Sequence, residues 1–598
     1  MSALRPAGSR STRLVPVVAG LAALALWAVL LTQAERSPFA RVPVLDEVWY
    51  LDRAASLDGL SAPADEPHFM SPLYPILIKV SGSAHAVPAD RVVPAADLRG
   101  LRLLQVACWL GTALLLRLLA ARLLPPDAPH RAWLAWLPPV LFALYRPAAV
   151  YAMAVLLELP LVFLLTLALW CAVAGEGARR PWAWALVVGA ALGLAGLLRG
   201  TALVLAPAAA WWLLRRGGWR PAALLLAAAA LVLLPASVHN SRALGRPAGP
   251  VLNGGVNLVI GNGPAANGFY VAVIDGDWRA DPAGTAQLAD ELGGPRPDLG
   301  EADRLWRGRA LDTMRRQPGR TLQLWVKKVW LQLQGWEIDQ LTPLAGWTGT
   351  VPLLRALVVP WGLVAVLACV GVVDLVSRRR VGAWSAPLAV FALLLAAQAV
   401  FFVVSRYRLA LLPAAALLAA AGFAALLARR RPALIALVPA LLMVVPWGLG
   451  GVRAQWRAMG LANEALRYAD LAAATDDATA RTRAEELYRA ALAGGAPGEA
   501  PWLGLAAVLE ARGADAEAGR VIAEGASAVP RSPDLHRQAA LRALAAGDAA
   551  AADPHLQALL KLQPGDAEAL HNLAVLRGRA GDLAEAEALA RRMVAGHP

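Results

Sequence analysis

Residues 13–33 read RLVPVVAGLAALALWAVLLTQ. From Leu14 to Ala34 there is no Asp, Glu, Lys or Arg, over about the 20 residues that an α-helix needs to cross the hydrocarbon core of a bilayer. No water is available there to satisfy backbone polar groups, so such a stretch must be helical. Ten similar stretches follow, near 101–121, 131–150, 152–174, 182–198, 200–215, 219–238, 352–376, 383–404, 408–428 and 432–450. The reading is an all-α, polytopic membrane domain of about eleven spans. The first stretch reads as an uncleaved helix and not a signal peptide, because it is long and Thr32-Gln33-Ala34-Glu35-Arg36 offers no small-x-small cleavage site.

Composition agrees. The 598 residues are 58% hydrophobic and 17% charged, whereas a soluble domain is about 45–50% apolar and about 25% charged. The surplus of Lys and Arg, 57 against 43 acidic residues, comes with no RNA- or DNA-binding motif, so nucleic acid is not an expected partner. Cys108, Cys171 and Cys369 all lie in apolar blocks, which argues against a disulfide framework or a cysteine metal site.

The basic residues orient the spans. Arg5, Arg10 and Arg13 precede the first span. Arg122 with Arg131, Arg179 with Arg180, and Arg215, Arg216 with Arg220 lie in later turns, and the triplets 378–380 and 429–431 close the series. With alternating spans all of them fall on one side, which is the cytoplasm by the positive-inside rule. The N-terminus is then cytoplasmic. The loops 34–100 and 239–351, and everything after residue 450, face outward. Arg146, Arg199, Arg406 and Arg408 remain in outward turns, against the bias. Snorkelling to headgroups is the competing account for each, but four together suit a phosphate-bearing ligand.

After residue 450 the composition turns Ala-, Glu- and Arg-rich. Gly513, Gly547 and Gly581 recur at 34 residues, and so do Pro530, Pro564 and Pro598. The last unit has small residues where paired helices approach, Gly in the turn and Pro at the boundary. This resembles the tetratricopeptide repeat, whose period is 34. Three units cover about 497–598, and a divergent one occupies about 457–496. The resemblance implies an α-solenoid that binds a protein partner.

The first outward loop carries Val44-Leu45-Asp46-Glu47-Val48-Trp49-Tyr50 and then Ser71-Pro72-Leu73-Tyr74-Pro75. Two carboxylates among apolar neighbours just outside a span suit general-base chemistry. Glu158 lies near the outward end of the fourth span, where an ionisable group is costly and invites a functional reading. Leu198-Arg199-Gly200 begins the sixth span and Ser405-Arg406-Tyr407-Arg408 opens the tenth. The long loop holds Asn257-Leu258-Val259-Ile260-Gly261-Asn262-Gly263-Pro264 and Lys328–Glu337. Over about residues 13–450 this arrangement resembles the GT-C superfamily of polyprenyl-phosphate-sugar-dependent glycosyltransferases. The most similar branch is bacterial, related to family 39 protein O-mannosyltransferases and to the aminoarabinose transferases that act on lipid A. It departs in having fewer spans than some members and no second carboxylate motif after the third span, which leaves the divalent metal used by some relatives open.

The resemblance implies a lipid-linked sugar as donor, with mannose a candidate, and a protein or glycolipid acceptor outside the cytoplasm of a bacterial inner membrane. Asp46 would be the base, with Glu47 orienting the acceptor or replacing it. Arg406, Arg408 and Arg199, with Arg146 and Lys79 behind them, would hold the donor phosphate, and Glu158, Tyr74 and Tyr407 would support them. Competing readings are an O-antigen ligase or polymerase, a non-catalytic scaffold presenting repeats to an envelope assembly complex, and a transporter. His68, His239 and the Asn-Gly cluster 253–267 read first as interfacial and turn residues, the cluster also as a lining of the acceptor cleft.

Overall fold

Most of the apolar runs become helices, and proline marks several of the breaks between them. The computed structural model describes residues 10–125, 130–274, 281–339 and 343–596. Two compact units result, Met1–Gly448 and Leu449–Pro598. The first unit begins with α1 (Arg10–Ala34), α2 (Asp46–Ala55), α3 (Leu73–Val80), α4 (Arg99–Leu123), α5 (Leu137–Ala143), α6 (Arg146–Met153), α7 (Glu158–Ala174), α8 (Pro181–Leu198), α9 (Leu205–Gly217) and α10 (Trp219–Ala243). The 239–351 loop contributes α11 (Gly254–Asn262), α12 (Leu299–Arg316) and α13 (Pro318–Leu333), and α14 (Trp361–Ser377), α15 (Val381–Ala399), α16 (Leu412–Leu427) and α17 (Arg431–Val444) complete the unit. Among the described residues there is no β-strand.

Among the described residues, five helices (α1, α4, α8, α10 and α15) are each long and apolar enough to cross a membrane, and α6 with α7 makes a sixth candidate bent by 118°. Other stretches expected as spans are shorter or divided. The 131–150 stretch is split at Pro138-Pro139 and again before Pro147, each proline sitting in the first turn of a new helix, where its missing N–H costs nothing. The 200–215 stretch opens with a 3₁₀ turn, Gly200–Val204, before α9. The helices α14, α16 and α17 are apolar but only 17, 16 and 14 residues long.

Small residues let these helices touch backbone to backbone. A Cβ added at Gly371 of α14 would lie 2.1 Å from the Leu418 carbonyl, and one at Gly422 of α16 would lie 2.0 Å from that of Leu367. A Cβ added at Gly189 of α8 would lie as close to the Leu225 carbonyl of α10, at 2.1 Å. Membrane helices lack a hydrophobic drive to associate, so such close approaches carry much of their packing.

The break between α6 and α7 leaves backbone groups open at 152–155. Gln105 Nε2 donates to the Ala154 carbonyl at 2.8 Å, Arg102 Nε donates to that of Met153 at 3.2 Å, and the Val155 N–H donates to Glu47 Oε1 at 3.3 Å. Buried backbone groups are thereby paired, and the turn delivers Glu158 as the first residue of α7.

The second unit is α18 (Gly450–Thr475), α19 (Ala478–Ala493), α20 (Ala500–Ala511), α21 (Asp515–Ala528), α22 (Pro533–Ala545), α23 (Ala549–Leu562), α24 (Ala567–Arg579) and α25 (Leu583–Gly596), packed in successive pairs. Asp477, Ser532, Asp548 and Asp566 cap four of these helices through their side chains, satisfying N–H groups that have no partner inside the helix. The recurring Gly513, Gly547 and Gly581 have φ of +80°, +75° and +86°, left-handed turns that glycine alone adopts cheaply. Ala484, Leu487, Leu509, Ile522 and Leu535 share one apolar core. A second core gathers Ala552, Leu556, Leu570 and Leu573.

Candidate active site

Helix α2 sorts its residues by face. Glu47, Tyr50, Leu51 and Ala54 are buried, and Asp46 and Tyr50, one turn apart, line a cavity of about 520 Å³. Leu45, just before the helix, holds φ 47° and ψ −115°, a costly backbone for a side chain of this size. This reversal sets Asp46 as the first helical residue, where the helix dipole favours a carboxylate.

Three other charged groups arrive at breaks in the chain. Glu158 opens α7. Arg199 sits in extended conformation between α8 and the 3₁₀ turn, and Arg406 lies in the one-turn helix Ser405–Arg408. Arg406 Nη1 donates to Asp46 Oδ2 at 2.7 Å, and Arg199 Nη2 donates to Glu158 Oε1 at 2.6 Å. The Tyr407 ring lies beneath both cations, 4.3 Å from the Arg199 guanidinium and 5.4 Å from that of Arg406. Two ion pairs and one aromatic platform therefore occupy a single wall.

The long loop closes another side. Gly261 lets the backbone of α11 approach Phe401 so closely that a Cβ would stand 2.7 Å from the Phe401 carbonyl carbon, and Asn262 Nδ2 donates to the Val400 carbonyl at 2.6 Å. Val256, Ile260, Phe401 and Phe402 then give the cavity an apolar flank, with Asn253, Asn257 and Tyr270 beside them. Burial first, and the Asp46 charge second, push the Tyr270 phenol up to about 12, so at neutral pH it is an O–H donor.

Of the residues read from the sequence, Asp46, Glu158, Arg199, Arg406 and Tyr407 line this cavity, and Glu47, Tyr74, Lys79, Arg146 and Arg408 do not. Glu47 accepts from the Val44 and Val155 backbone N–H groups. Arg408 is fully buried and donates to the carbonyls of Leu331 and Trp336, binding the end of the long loop instead of facing the cavity. Arg146 Nε donates to the Leu354 carbonyl and Lys79 Nζ to that of Leu57. Tyr74 packs edge-on against Tyr50 with ring centroids 4.9 Å apart. Tyr50, Tyr270 and Gln398 line the cavity without having been singled out beforehand, since no charge anomaly marks them in the sequence.

A divalent ion does not fit the groups present. Each cavity carboxylate already has a guanidinium partner, and among the described residues no group of three His, Cys, Asp or Glu side chains converges on a point.

Residues 59–240 match the family model described as dolichyl-phosphate-mannose-protein mannosyltransferase. No curated protein matches the chain. Among solved structures, it is similar to the archaeal oligosaccharyltransferase AglB from Archaeoglobus fulgidus, in complex with an inhibitory peptide and a dolichol-phosphate. That match has 14% identity and TM-score 0.36, over 73% of this chain and 58% of the other. ArnT from Cupriavidus metallidurans bound to undecaprenyl phosphate matches at 15% identity and TM-score 0.31, over 86% of this chain and 80% of its own. YrrB, a tetratricopeptide protein with an unusual peptide-binding site, matches at 14% identity and TM-score 0.20, over 30% of this chain and 84% of its own.

Proposed function

We propose that this chain is a membrane glycosyltransferase that moves a sugar from a polyprenyl phosphate to an acceptor on the non-cytoplasmic side. The carrying observation is the pairing of Asp46 with Arg406 and of Glu158 with Arg199 on one wall of a cavity whose flank is apolar. A carboxylate able to take a proton thus stands beside two cations able to take a phosphate. The family model that matches residues 59–240 supports the donor class and makes mannose the first sugar to test.

In this reading Asp46 accepts the proton of the acceptor hydroxyl as its oxygen attacks the anomeric carbon. The bond from that carbon to the phosphate oxygen breaks, and the electron pair leaves on the phosphate. Arg406 and Arg199 stabilise the charge that develops there. Direct displacement inverts the anomeric carbon. Val256, Ile260, Phe401 and Phe402 receive the apolar part of the donor, and residues 457–598 hold a protein acceptor or partner as tetratricopeptide repeats do.

The test is transfer from a lipid-linked sugar donor by the wild type, Asp46→Asn and Arg406→Ala. Loss of one oxyanion-type donor costs on the order of 10²–10³ in rate, and Asp46→Asn should lose at least as much. Undiminished transfer by both variants would sink the assignment.

A further inference from the structure

The two ion pairs are incomplete in the same way. Each is closed by one N–H to one oxygen, although a guanidinium and a carboxylate can form two parallel bonds. Arg406 Nε, Arg199 Nη1 and Glu158 Oε2 are left buried without a hydrogen-bond partner. Gln398 Oε1, in the same cavity wall, is left likewise, while its Nε2 donates to the Tyr407 carbonyl at 3.0 Å. Leaving a buried polar group unpaired is costly, so this wall is poised to exchange partners. Tyr407 lies under both guanidiniums and can keep each in place by cation–π attraction while its carboxylate lets go.

We propose that Asp46 and Glu158 act, before a donor binds, as stand-ins for its phosphate. The entering phosphate takes Arg406 and Arg199 from them, and only then is the Asp46 carboxylate uncovered as a base. Donor binding therefore precedes productive acceptor binding, and Glu158 is a positioning residue that works through Arg199. This rests on the reading of the cavity as a polyprenyl-phosphate site.

A site whose competent state is only partly populated shows an affinity reduced by that fraction. Removing the stand-in carboxylate should therefore tighten phosphate binding even as it removes the base. The probe is a polyprenyl monophosphate without sugar, titrated into the full chain in detergent, with the matching polyprenyl alcohol as the phosphate-free control. Asp46→Asn and Glu158→Gln are each expected to bind the monophosphate about tenfold more tightly than wild type, with alcohol binding unchanged and transfer lost for Asp46→Asn. In an Arg406→Gln background, Asp46→Asn should no longer tighten binding, which separates partner exchange from simple loss of negative charge. Equal or weaker binding by both single variants, or tightening that persists in the Arg406→Gln background, overturns the exchange. Absence of any difference between monophosphate and alcohol in the wild type overturns the cavity assignment itself.

Discussion

Asp46 and Glu47 are neighbours in sequence with opposite fates, because successive residues on a helix point about 100° apart. Asp46 reaches the cavity, whereas Glu47 turns inward and accepts backbone N–H groups at both ends of its reach. Arg406 and Arg408 divide similarly. Arg406→Ala should cut transfer by on the order of 10²–10³ and, because it strips the partner from the half-buried Asp46, lower the unfolding midpoint less than Arg408→Ala does. Arg408→Ala should lower stability, by about 3 kcal/mol, because its buried guanidinium serves carbonyls at the end of the long loop. Thermal unfolding in detergent beside the transfer assay separates the two. A third residue gives a pH signature. His68, stacked on His239 at 4.5 Å, has its imidazole pushed down to about 4 by burial, then by His239 and Arg53. Between about 4 and the ordinary value of 6.5 the unfolded chain binds a proton that the folded chain refuses, so stability is complete above 6.5 and is lost as the pH falls through that window. Unfolding midpoints measured from pH 7 to pH 4 should fall for the wild type and fall less for His68→Gln.

Elements meet through small residues and broken helices. At the crossing of α14 and α16, Gly371 and Gly422 face carbonyls that a Cβ would strike. Gly371→Leu should destabilise the first unit by at least about 1–3 kcal/mol through overpacking. Gly382→Leu, at a glycine with open space around it, should leave the midpoint unchanged, and a detergent melt of the two variants checks the difference. The α6–α7 break is held by Gln105, Arg102 and Glu47, so the elements that surround Glu158 are fixed by groups outside the cavity. Prolines mark some of these breaks in the sequence, as at 138–139 and 147. The break at Arg199 is marked by a charge between two apolar runs, but its pairing with Glu158 across 41 residues carries no local signal, because it is a tertiary contact.

At the scale of the whole molecule, two units with separate cores imply separable behaviour. Residues 449–598 should fold alone as a soluble helical protein, with a cooperative loss of helical circular dichroism on heating. Gly547→Val, which forces a β-branched residue into φ +75°, should destabilise that fragment by roughly 1–2 kcal/mol. Removal of residues 457–598 should leave transfer to a short soluble acceptor intact while lowering transfer to a full-length protein acceptor, in the division of labour proposed above. Loss of transfer to both acceptors would contradict that division.

Some of this protein is written in the order of its residues and some is not. Apolar runs free of charge determine helices, proline determines where several end, and glycine at a period of 34 determines the turns of the second unit. These are local effects, set by backbone sterics and by the refusal of hydrocarbon to solvate a peptide group. The charged residues at the outward ends of the expected spans could be picked out because each is expensive where it stands. Which of them share a cavity was decided only by tertiary packing: Asp46 and Arg406 lie 360 positions apart and meet at 2.7 Å. The uncharged lining, Tyr270 and Gln398 among it, carries no cost that a sequence could betray, and enters the site because the long loop and α15 are packed against it.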